Sequence, residues 1–373
     1  MTLRLAEAKR IVIKTGSTLV TDDNGQAKHD WLRRLAADLK HFKARGQQIV
    51  WVSSGAVSLG RTLLFDRPTR STLSEKQAAA ALGQPLLMAA ISDALGKESL
   101  VAAQSLLTLE DTERRRRWLN ARDTLEILLN AGAIPLINEN DTVATDEIRY
   151  GDNDRLAARV AQMISADVLV LLSDVDGLYS DDPRLNPKAE HIPVVDVLTP
   201  EIMALAGGSN SESGLGSGGM TTKLLAAEIA YAAGCATVIT MGDRDQPLRS
   251  IEDGARSSWI IPSQSPLSAR RAWLSGHLVP EGTLTLDAGA AVAVKKGLSL
   301  LPVGVTNVHG RFAKGAALSL VGPDGATLGK GVSAYASSDI EKIRGLKTDA
   351  TEAVLGYRGR PAIIHRDDLV LDQ

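Results

Sequence analysis

The sequence predicts a two-domain α/β protein, in which an open, mostly parallel sheet sandwiched by helices is followed by a small β-barrel-like domain. Three observations support this prediction. Short apolar runs alternate with helical patterns up to about position 264, the 373-residue chain is long enough for two domains, and later β-like runs are separated by glycine turns. We therefore expect domains at 1–264 and 281–359, a connector at 265–280 and a C-terminal tail at 360–373.

Each predicted element follows from a local pattern. In the first domain, apolar runs predict strands at Ile11–Ile13, Ile49–Val52, Leu100–Ala103, Ile134–Ile137, Val168–Leu172, Thr237–Met241 and Trp259–Ile261. Apolar residues at helical spacing predict helices at Trp118–Asn130, Asp154–Ile164 and Met220–Ala233, and a further helix from an Asp30 N-cap to Gly46. In the second domain, strands Leu318–Val321 and Thr327–Val332 flank a Gly322–Gly325 turn, and one short helix is predicted near Asp339–Arg344.

Composition narrows the class of protein. The formal charge is −2, from 42 basic and 44 acidic residues, so nothing global indicates nucleic acid or an anionic membrane as a partner. A single cysteine, Cys235, excludes an intrachain disulfide framework and fits a reducing compartment. The N-terminus has no signal-peptide pattern, and no continuous run of about eighteen apolar residues occurs. We therefore expect a cytoplasmic protein without a membrane span.

Two candidate ligand-binding segments follow the first two predicted strands. Lys14 is followed by Gly16 and the hydroxyl residues Ser17 and Thr18, a pattern suited to a phosphate held by backbone N–H groups and an ammonium. Ser54 lies where the second strand gives way to a helix, and the helix N-terminus favours a carboxylate or a phosphate. Ligands of open α/β sheets bind outside the carboxyl ends of strands, which is where both segments lie.

Polar residues also cluster around the end of the fourth predicted strand. Asn138-Glu139-Asn140-Asp141 ends that strand, and Gly151-Asp152-Asn153-Asp154 opens the next helix. Their amides and carboxylates are suited to holding a substrate ammonium, orienting lysines or positioning Mg²⁺ indirectly. A solvated acidic loop is the structural alternative.

Two later segments are suited to a nucleotide. Ser173 and Asp174 follow the most apolar strand and lie in the crevice position. The glycine-rich stretch Gly214–Lys223 ends in a lysine at a helix start, which suits ATP phosphates. It contains a formal G-x-G-x-x-G, but no strand immediately precedes it, and Lys223 lacks the glycine that a Walker A lysine follows. A flexible surface loop remains the alternative.

The remaining conspicuous residues favour structural roles. Arg114–Arg117 is interpreted as a solvated helix face, because adjacent helical positions cannot all face one ligand. The six histidines are scattered without ligand spacing, and no metal site made of protein side chains is predicted.

No general base is evident, and this absence itself indicates a type of substrate. A side-chain carboxylate with a pKa of about 4.3 is already ionised at neutral pH and needs no proton removal before it attacks a γ-phosphate. Such a reaction needs in-line positioning and neutralisation of phosphoryl charge.

These motifs together resemble the amino acid kinase family, and within it the kinases that act on glutamate. Three stretches carry the resemblance most specifically: Asn120–Leu125, Ile137–Asp141 and Gly151–Asp154. Ser299–Val305 and Gly310–Ala334 resemble a PUA domain, so that the resemblance covers nearly the whole chain.

The resemblance implies a role for each matching position. Lys14 and Lys223 would stabilise the transferring phosphoryl group, and Asp154 would orient them. Ser54, Asp141 and Asn153 would hold glutamate. The ATP site would comprise Lys14, Ser173, Asp174, Ser217, Gly218, Gly219, Met220, Thr221, Thr222 and Lys223, with Mg²⁺ bridging the phosphates.

The resemblance further implies γ-glutamyl phosphate as the product, on the route to proline. Proline would inhibit at the glutamate site, and the protein would be a homo-oligomer, either a dimer or a tetramer.

Two alternatives stay open. One is a related kinase that acts on acetylglutamate, carbamate, aspartate or a nucleoside monophosphate. The other is an RNA-binding protein or one associated with RNA modification, because PUA domains occur in such proteins. Residues 281–359 carry nine Lys or Arg and seven Asp or Glu without a row of aromatic residues, which is a weak signal for RNA.

Overall fold

The computed structural model describes residues 5–64, 72–144, 152–205, 219–270 and 279–371. The chain divides into two compact units, Met1–Pro266 and Leu267–Gln373.

The first unit is built on an eight-stranded, mostly parallel sheet. Eight strands form this sheet, and β6 and β7 form a separate pair. The strands are β1 (Arg10–Thr15), β2 (Gln48–Ser53), β3 (Ala102–Leu107), β4 (Ile134–Glu139), β5 (Val168–Ser173), β6 (Leu178–Tyr179), β7 (His191–Ile192), β8 (Val194–Val195), β9 (Ala236–Met241) and β10 (Ser257–Ile260). The order in the large sheet is β3-β4-β2-β1-β5-β9-β10-β8, and β10 runs antiparallel to β9. The carboxyl ends of β1, β2, β4, β5 and β9 therefore lie along one edge.

Helices cover both faces of this sheet. They are α1 (Ser17–Val20), α2 (His29–Ala44), α3 (Ala56–Leu64), α4 (Leu73–Lys97), α5 (Leu109–Glu113), α6 (Arg115–Asn130), α7 (Asp152–Met163), α8 (Pro200–Ala204), α9 (Met220–Ala232) and α10 (Arg249–Glu252). Successive residues of β1 point to opposite faces: Ile11 and Ile13 join the core with α2 and α4, and Val12 joins the core with α6, α7 and α9. Burial on both faces explains why the central strands are continuous apolar runs.

Two local predictions in this unit are wrong. Helix α2 begins at His29 after Lys28, and Asp30 lies inside its first turn, where it pairs with Arg33 instead of capping the helix. Strand β3 begins two residues after the predicted Leu100 and runs through Gln104 and Ser105. This strand is at the sheet edge and is only partly buried, so that its central residues need not be apolar. The predicted end of α2 at Gly46 is confirmed, with φ of +80°.

Helix α4 is the longest of the described helices and is apolar enough, by length and composition alone, to cross a membrane. Its residues Leu87, Ile91 and Leu95 are buried in the core against α2 and the sheet. We interpret it as a core helix of the first unit.

Helices α3 and α4 cross in backbone contact at two glycines. A Cβ added to Gly60 would lie 1.8 Å from Ala79 O, and a Cβ added to Gly83 would lie 1.8 Å from Ala56 O. Only glycine permits this approach. The crossing fixes α4 against the helix that begins directly after Ser54 and Gly55.

The second unit contains a five-stranded sheet and short helices. Its elements are β11 (Gly282–Leu286), α11 (Ala288–Lys295), β12 (Val305–His309), β13 (Ala317–Val321), β14 (Thr327–Val332), α12 (Ser337–Ile343), α13 (Thr348–Leu355) and β15 (Leu369–Leu371). The strand order is β12-β11-β13-β14-β15, and the predicted turn at Gly322–Gly325 joins β13 to β14.

This unit is more helical than predicted, and the residues assigned to a tail belong to it. The described residues include α11 and α13 in addition to the predicted helix. Helix α11 is capped by Asp287, whose carboxylate accepts from the Ala290 N–H at 2.6 Å. Strand β15 pairs with β14, and Ile363 and Ile364 are buried in the core, so that residues 360–371 complete the sheet unit. Short helices and edge strands have too few residues for their periodicity to stand out in the sequence.

Candidate active site

The candidate site lies at the carboxyl edge of the first sheet. Lys14 is near the end of β1, opposite Val52 of β2 and Leu171 of β5. Ser54 directly follows β2, and its backbone N–H donates to Thr15 O at 3.1 Å. Strand β1 lies between β2 and β5, so the polar residues that follow these two strands lie close to Lys14.

A buried carboxylate joins the lysine of β1 to the start of α9. Asp154, in the first turn of α7, is fully buried, and its Oδ1 lies 2.5 Å from Lys14 Nζ. The Thr222 hydroxyl donates to Asp154 Oδ2 at 2.9 Å. Lys223, the next residue on α9, is 7% exposed. Asp154 thus contacts one buried lysine and attracts a second, and the two ammonium groups are suited to binding an anion.

The protonation of Lys223 reflects this crowding. Burial lowers the pKa of Lys223, and repulsion by Lys14 adds to the lowering, whereas attraction to Asp154 and Asp174 partly offsets it. An incoming phosphate would stabilise the charged form of Lys223.

Two of the three predicted glutamate ligands contact each other. Asn153 Nδ2 donates to Ser54 Oγ at 3.0 Å and lies 3.3 Å from Asn138 Oδ1, so Ser54 and Asn153 are adjacent. Asp141 is buried in the loop after β4.

Asp141 lies in the wall of an open cavity of about 560 Å³ between α4, β3 and that loop. The wall is largely apolar, with Pro85 and Met88 from α4, and its polar part includes Gln84, Asn140 and Asp141. Lys14, Asp154 and Lys223 do not line it, so we assign the chemistry to the buried ion cluster and not to this cavity.

The predicted nucleotide residues Ser173 and Asp174 lie at the end of β5. The Ser173 hydroxyl donates to Asp174 Oδ1 at 2.9 Å, and Ser173 O accepts from the Gly242 N–H of the loop after β9. Partial burial opposes ionisation of Asp174, but the Ser173 hydrogen bond and attraction to Lys223 and Arg184 bring its pKa below the usual value. Asp174 is thus an exposed carboxylate whose negative charge is attracted to Lys223.

The described end of the glycine-rich segment begins helix α9. Gly219 is the N-cap, and Met220, Thr221 and Thr222 form the first turn. The Thr222 N–H donates to Gly219 O at 3.2 Å, and the positive end of the helix dipole at this start favours an anion. Ser217 and Gly218 lie outside the described residues.

Two side chains important to the geometry are missing from the predicted site. Asn138 is within a predicted motif but has no assigned role, and Gln84 of α4 carries no prediction. Gln84 accepts a hydrogen bond from Asn138 Nδ2 at 2.7 Å. Gln84 is the one polar side chain in the apolar run Ala78–Leu87, and this position could have indicated a functional role.

The structure assigns other conspicuous residues to packing or surface pairs. Cys235 is buried, and burial raises the pKa of its thiol far above the usual value. Arg114, which lies between α5 and α6, pairs with Glu110, and Arg117 Nη1 lies 2.9 Å from Asp111 Oδ1, so these two arginines form surface ion pairs. Within the described ranges, no group of three or more His, Cys, Asp or Glu could hold a metal ion.

Comparisons with known proteins place this geometry in a family. The model of the amino acid kinase family matches residues 9–241, and the PUA domain model matches residues 282–355. A glutamate 5-kinase of Paramagnetospirillum magneticum is 55% identical over 99% of this chain and 99% of its own length. A glutamate 5-kinase of Caulobacter vibrioides is 53% identical over 98% of this chain and 97% of its own. Among solved structures, a carbamate kinase from Giardia lamblia bound to AMP-PNP aligns with 69% of this chain and all of its own, at 14% identity and a TM-score of 0.49. The chain belongs to the amino acid kinase family, in its glutamate 5-kinase branch, and carries a C-terminal PUA domain.

Proposed function

We propose that this protein transfers the γ-phosphate of ATP to the side-chain carboxylate of L-glutamate, giving L-glutamyl 5-phosphate, with Lys14, Lys223 and Asp154 as the catalytic residues. The observation that carries the proposal is the buried cluster in which Asp154 contacts Lys14 at 2.5 Å and Thr222 at 2.9 Å, beside Lys223. The full-length similarity to glutamate 5-kinases supplies the identity of the acceptor.

The two lysines neutralise the charge that spreads over the phosphoryl oxygens during transfer. Asp154 orients Lys14 directly and holds the first turn of α9 through Thr222, which places Lys223. Such preorganised charges act most strongly where water is excluded, as it is around these buried groups. The glutamate carboxylate is already ionised and attacks without a general base.

Two separate sets of residues bind ATP and glutamate beside the cluster. Ser173, Asp174 and residues 217–223 hold the nucleotide, while Ser54, Asp141 and Asn153 hold glutamate. Asp141 supplies a carboxylate for the substrate ammonium, and Asn153 Oδ1 is a buried acceptor that receives no hydrogen bond from the described residues.

Mg²⁺ would enter the site together with ATP. Asp154 would not be its ligand, because the two oxygens of Asp154 contact Lys14 Nζ and the Thr222 hydroxyl. The bound ion would neutralise part of the triphosphate charge.

The product places the reaction on the route to proline in the cytoplasm, and proline inhibits by competing at the glutamate site. We also propose a homo-oligomer, which light scattering coupled to gel filtration would detect. Proline that lowers kcat without raising the apparent KM for glutamate would contradict the competitive site.

The proposed reaction is tested by trapping its product. Incubation with ATP, Mg²⁺, glutamate and hydroxylamine should form a hydroxamate, because acyl phosphates react with hydroxylamine. Acetylglutamate, carbamate and aspartate serve as competing acceptors. A hydroxamate formed with acetylglutamate or aspartate, and none with glutamate, would overturn the assignment.

A further inference from the structure

A chain of side-chain amides connects helix α4 to the proposed glutamate site. Asn138 Nδ2 donates to Gln84 Oε1 at 2.7 Å, while Asn138 Oδ1 accepts from the Glu139 backbone N–H at 2.9 Å. That same oxygen lies 3.3 Å from Asn153 Nδ2, which also donates to Ser54 Oγ at 3.0 Å.

The donors and acceptors along this chain can be assigned from one backbone group. The Glu139 N–H can only donate, so the atom of Asn138 that faces it is the carbonyl oxygen. The other terminal atom of Asn138 is therefore the amide nitrogen, which needs an acceptor, and Gln84 Oε1 provides it. Asn153 must face Asn138 Oδ1 with its own nitrogen, and this turns Asn153 Oδ1 to the other side.

That oxygen of Asn153 is the end of the chain. It is buried, and within the described ranges no group donates to it. A buried carbonyl oxygen without a donor is costly, and a substrate ammonium would supply the missing donor.

We infer that Gln84 is a positioning residue for glutamate: it anchors Asn138, which in turn holds Asn153 with Oδ1 directed at the substrate ammonium. The inference rests on the proposed function and adds to it a side chain that acts only through its neighbours.

The fold keeps Gln84 in place independently of the substrate. Its neighbour Gly83 is the point of backbone contact between α4 and α3, and α3 starts directly after Ser54 and Gly55. Gln84 is half-buried in the wall of the cavity, so a substitution that preserves its length is accommodated there.

The test compares Gln84→Met with the unchanged full-length chain. Methionine keeps the length but cannot accept the hydrogen bond from Asn138. We expect the KM for glutamate to rise about tenfold, as the loss of one buried hydrogen bond implies, while kcat and the KM for ATP change less than about twofold. Gln84→Glu keeps an acceptor and should restore the KM for glutamate to within about threefold of the unchanged protein.

A matched control and a double-mutant cycle separate this role from a general loss of structure. Gln104→Met makes the same chemical change in the same cavity, on an exposed side chain of β3, and should leave the KM for glutamate unchanged. In an Asn138→Ala background, Gln84→Met should have less than about a twofold further effect, because both changes break one chain.

Three results would overturn the inference: an unchanged KM for glutamate in Gln84→Met, a Glu variant as impaired as the Met variant, or fully additive effects in the cycle. If the unchanged protein forms no hydroxamate with glutamate, the proposed function itself fails. The two failures are therefore distinguishable.

Discussion

Asp154 is the residue on which the candidate chemistry depends most, because it is a fully buried carboxylate between two lysines. An unpaired buried charge is strongly destabilising, so the carboxylate and Lys14 stabilise each other only as a pair. A second buried lysine, Lys223, distinguishes this cluster from a structural ion pair of one lysine and one carboxylate. Two ammonium groups in one cluster are suited to binding a phosphate.

Replacement of Lys223 tests its catalytic role. Lys223→Ala should fold normally but lower kcat by about 10²-fold or more, as the loss of a preorganised electrostatic contact typically does. The hydroxamate assay measures the rate, and circular dichroism checks the fold. Lys188→Ala, at an exposed lysine, is the control and should retain full activity. Near-normal turnover of the Lys223 variant would mean that this lysine has no role in transfer.

The lowered pKa of Lys223 predicts a pH dependence. Burial is its largest cause, and the transfer uses the charged ammonium. The value of kcat/KM for ATP should therefore fall as the pH rises through a pKa below the ordinary 10.5. Between the lowered pKa and the ordinary one, the unfolded chain binds more protons than the folded chain, so the contribution of Lys223 to stability increases with pH in that window.

Lys223→Arg provides the control for this profile. A guanidinium stays charged throughout the accessible range, so the alkaline decrease should move to higher pH even if the maximal rate is lower. An alkaline limb at the same pH in both proteins would assign the titration to another group.

The resemblance to the amino acid kinases implied that Asp154 orients Lys14 and Lys223, but the part played by Thr222 could not be predicted from the sequence. Lys14 and Lys223 stand out because each lies at the start of a glycine- or hydroxyl-rich segment in a position suited to phosphate. The sequence separation of Asp154 and Thr222 conceals the 2.9 Å contact between them. Gln84 belongs to no recognisable sequence motif, because its proposed role depends on the hydrogen bond that it accepts from Asn138 in the folded chain.

At the scale of elements, the crossing of α3 and α4 determines where several site residues lie. Gly60 and Gly83 allow the two backbones to touch, and Ser54 and Gln84 are close to this contact in sequence. Helix packing usually keeps axes 8–10 Å apart, and glycine allows a smaller separation.

Two glycines of the same helix should respond in opposite ways to alanine. Gly83→Ala places a methyl group against Ala56 O and should lower the free energy of unfolding by about 1–3 kcal/mol. Gly96→Ala meets nothing within 4 Å and should raise it by roughly 0.5–1 kcal/mol, because alanine loses less backbone entropy in a helix. Denaturant unfolding measures both. Equal effects of the two substitutions would contradict the close crossing.

Strand and helix predictions succeeded where burial was uniform. The central strands β1, β2, β4, β5 and β9 are buried on both faces and were predicted from their apolar runs. Strand β3 was displaced and β15 was missed, because edge strands carry no such run. The predicted N-cap Asp30 lies inside the helix, because the helix begins at His29 with Lys28 as its N-cap.

At the scale of the whole molecule, charge separates an enzyme from an RNA-binding protein. Residues 281–359 have a net charge of only +2, from nine basic and seven acidic residues. We expect no tight, salt-sensitive binding of tRNA in a filter-binding assay at moderate salt, since such binding requires many phosphate contacts. Binding that weakens steeply with salt would support an RNA-related role of the PUA domain.

By itself, the sequence determined the α/β class, the presence of a small second domain rich in β-strands, and the family, and it proposed the candidate ligands. These follow from apolar periodicity and from short motifs, which are local properties of the chain. The tertiary structure decided which ligands meet. It showed that Asp154 joins Lys14 to the start of α9, and that Gln84 anchors the asparagines beside Ser54. The physical reason is that strand order and helix crossing bring together residues that are distant in the chain, and no local pattern encodes those distances.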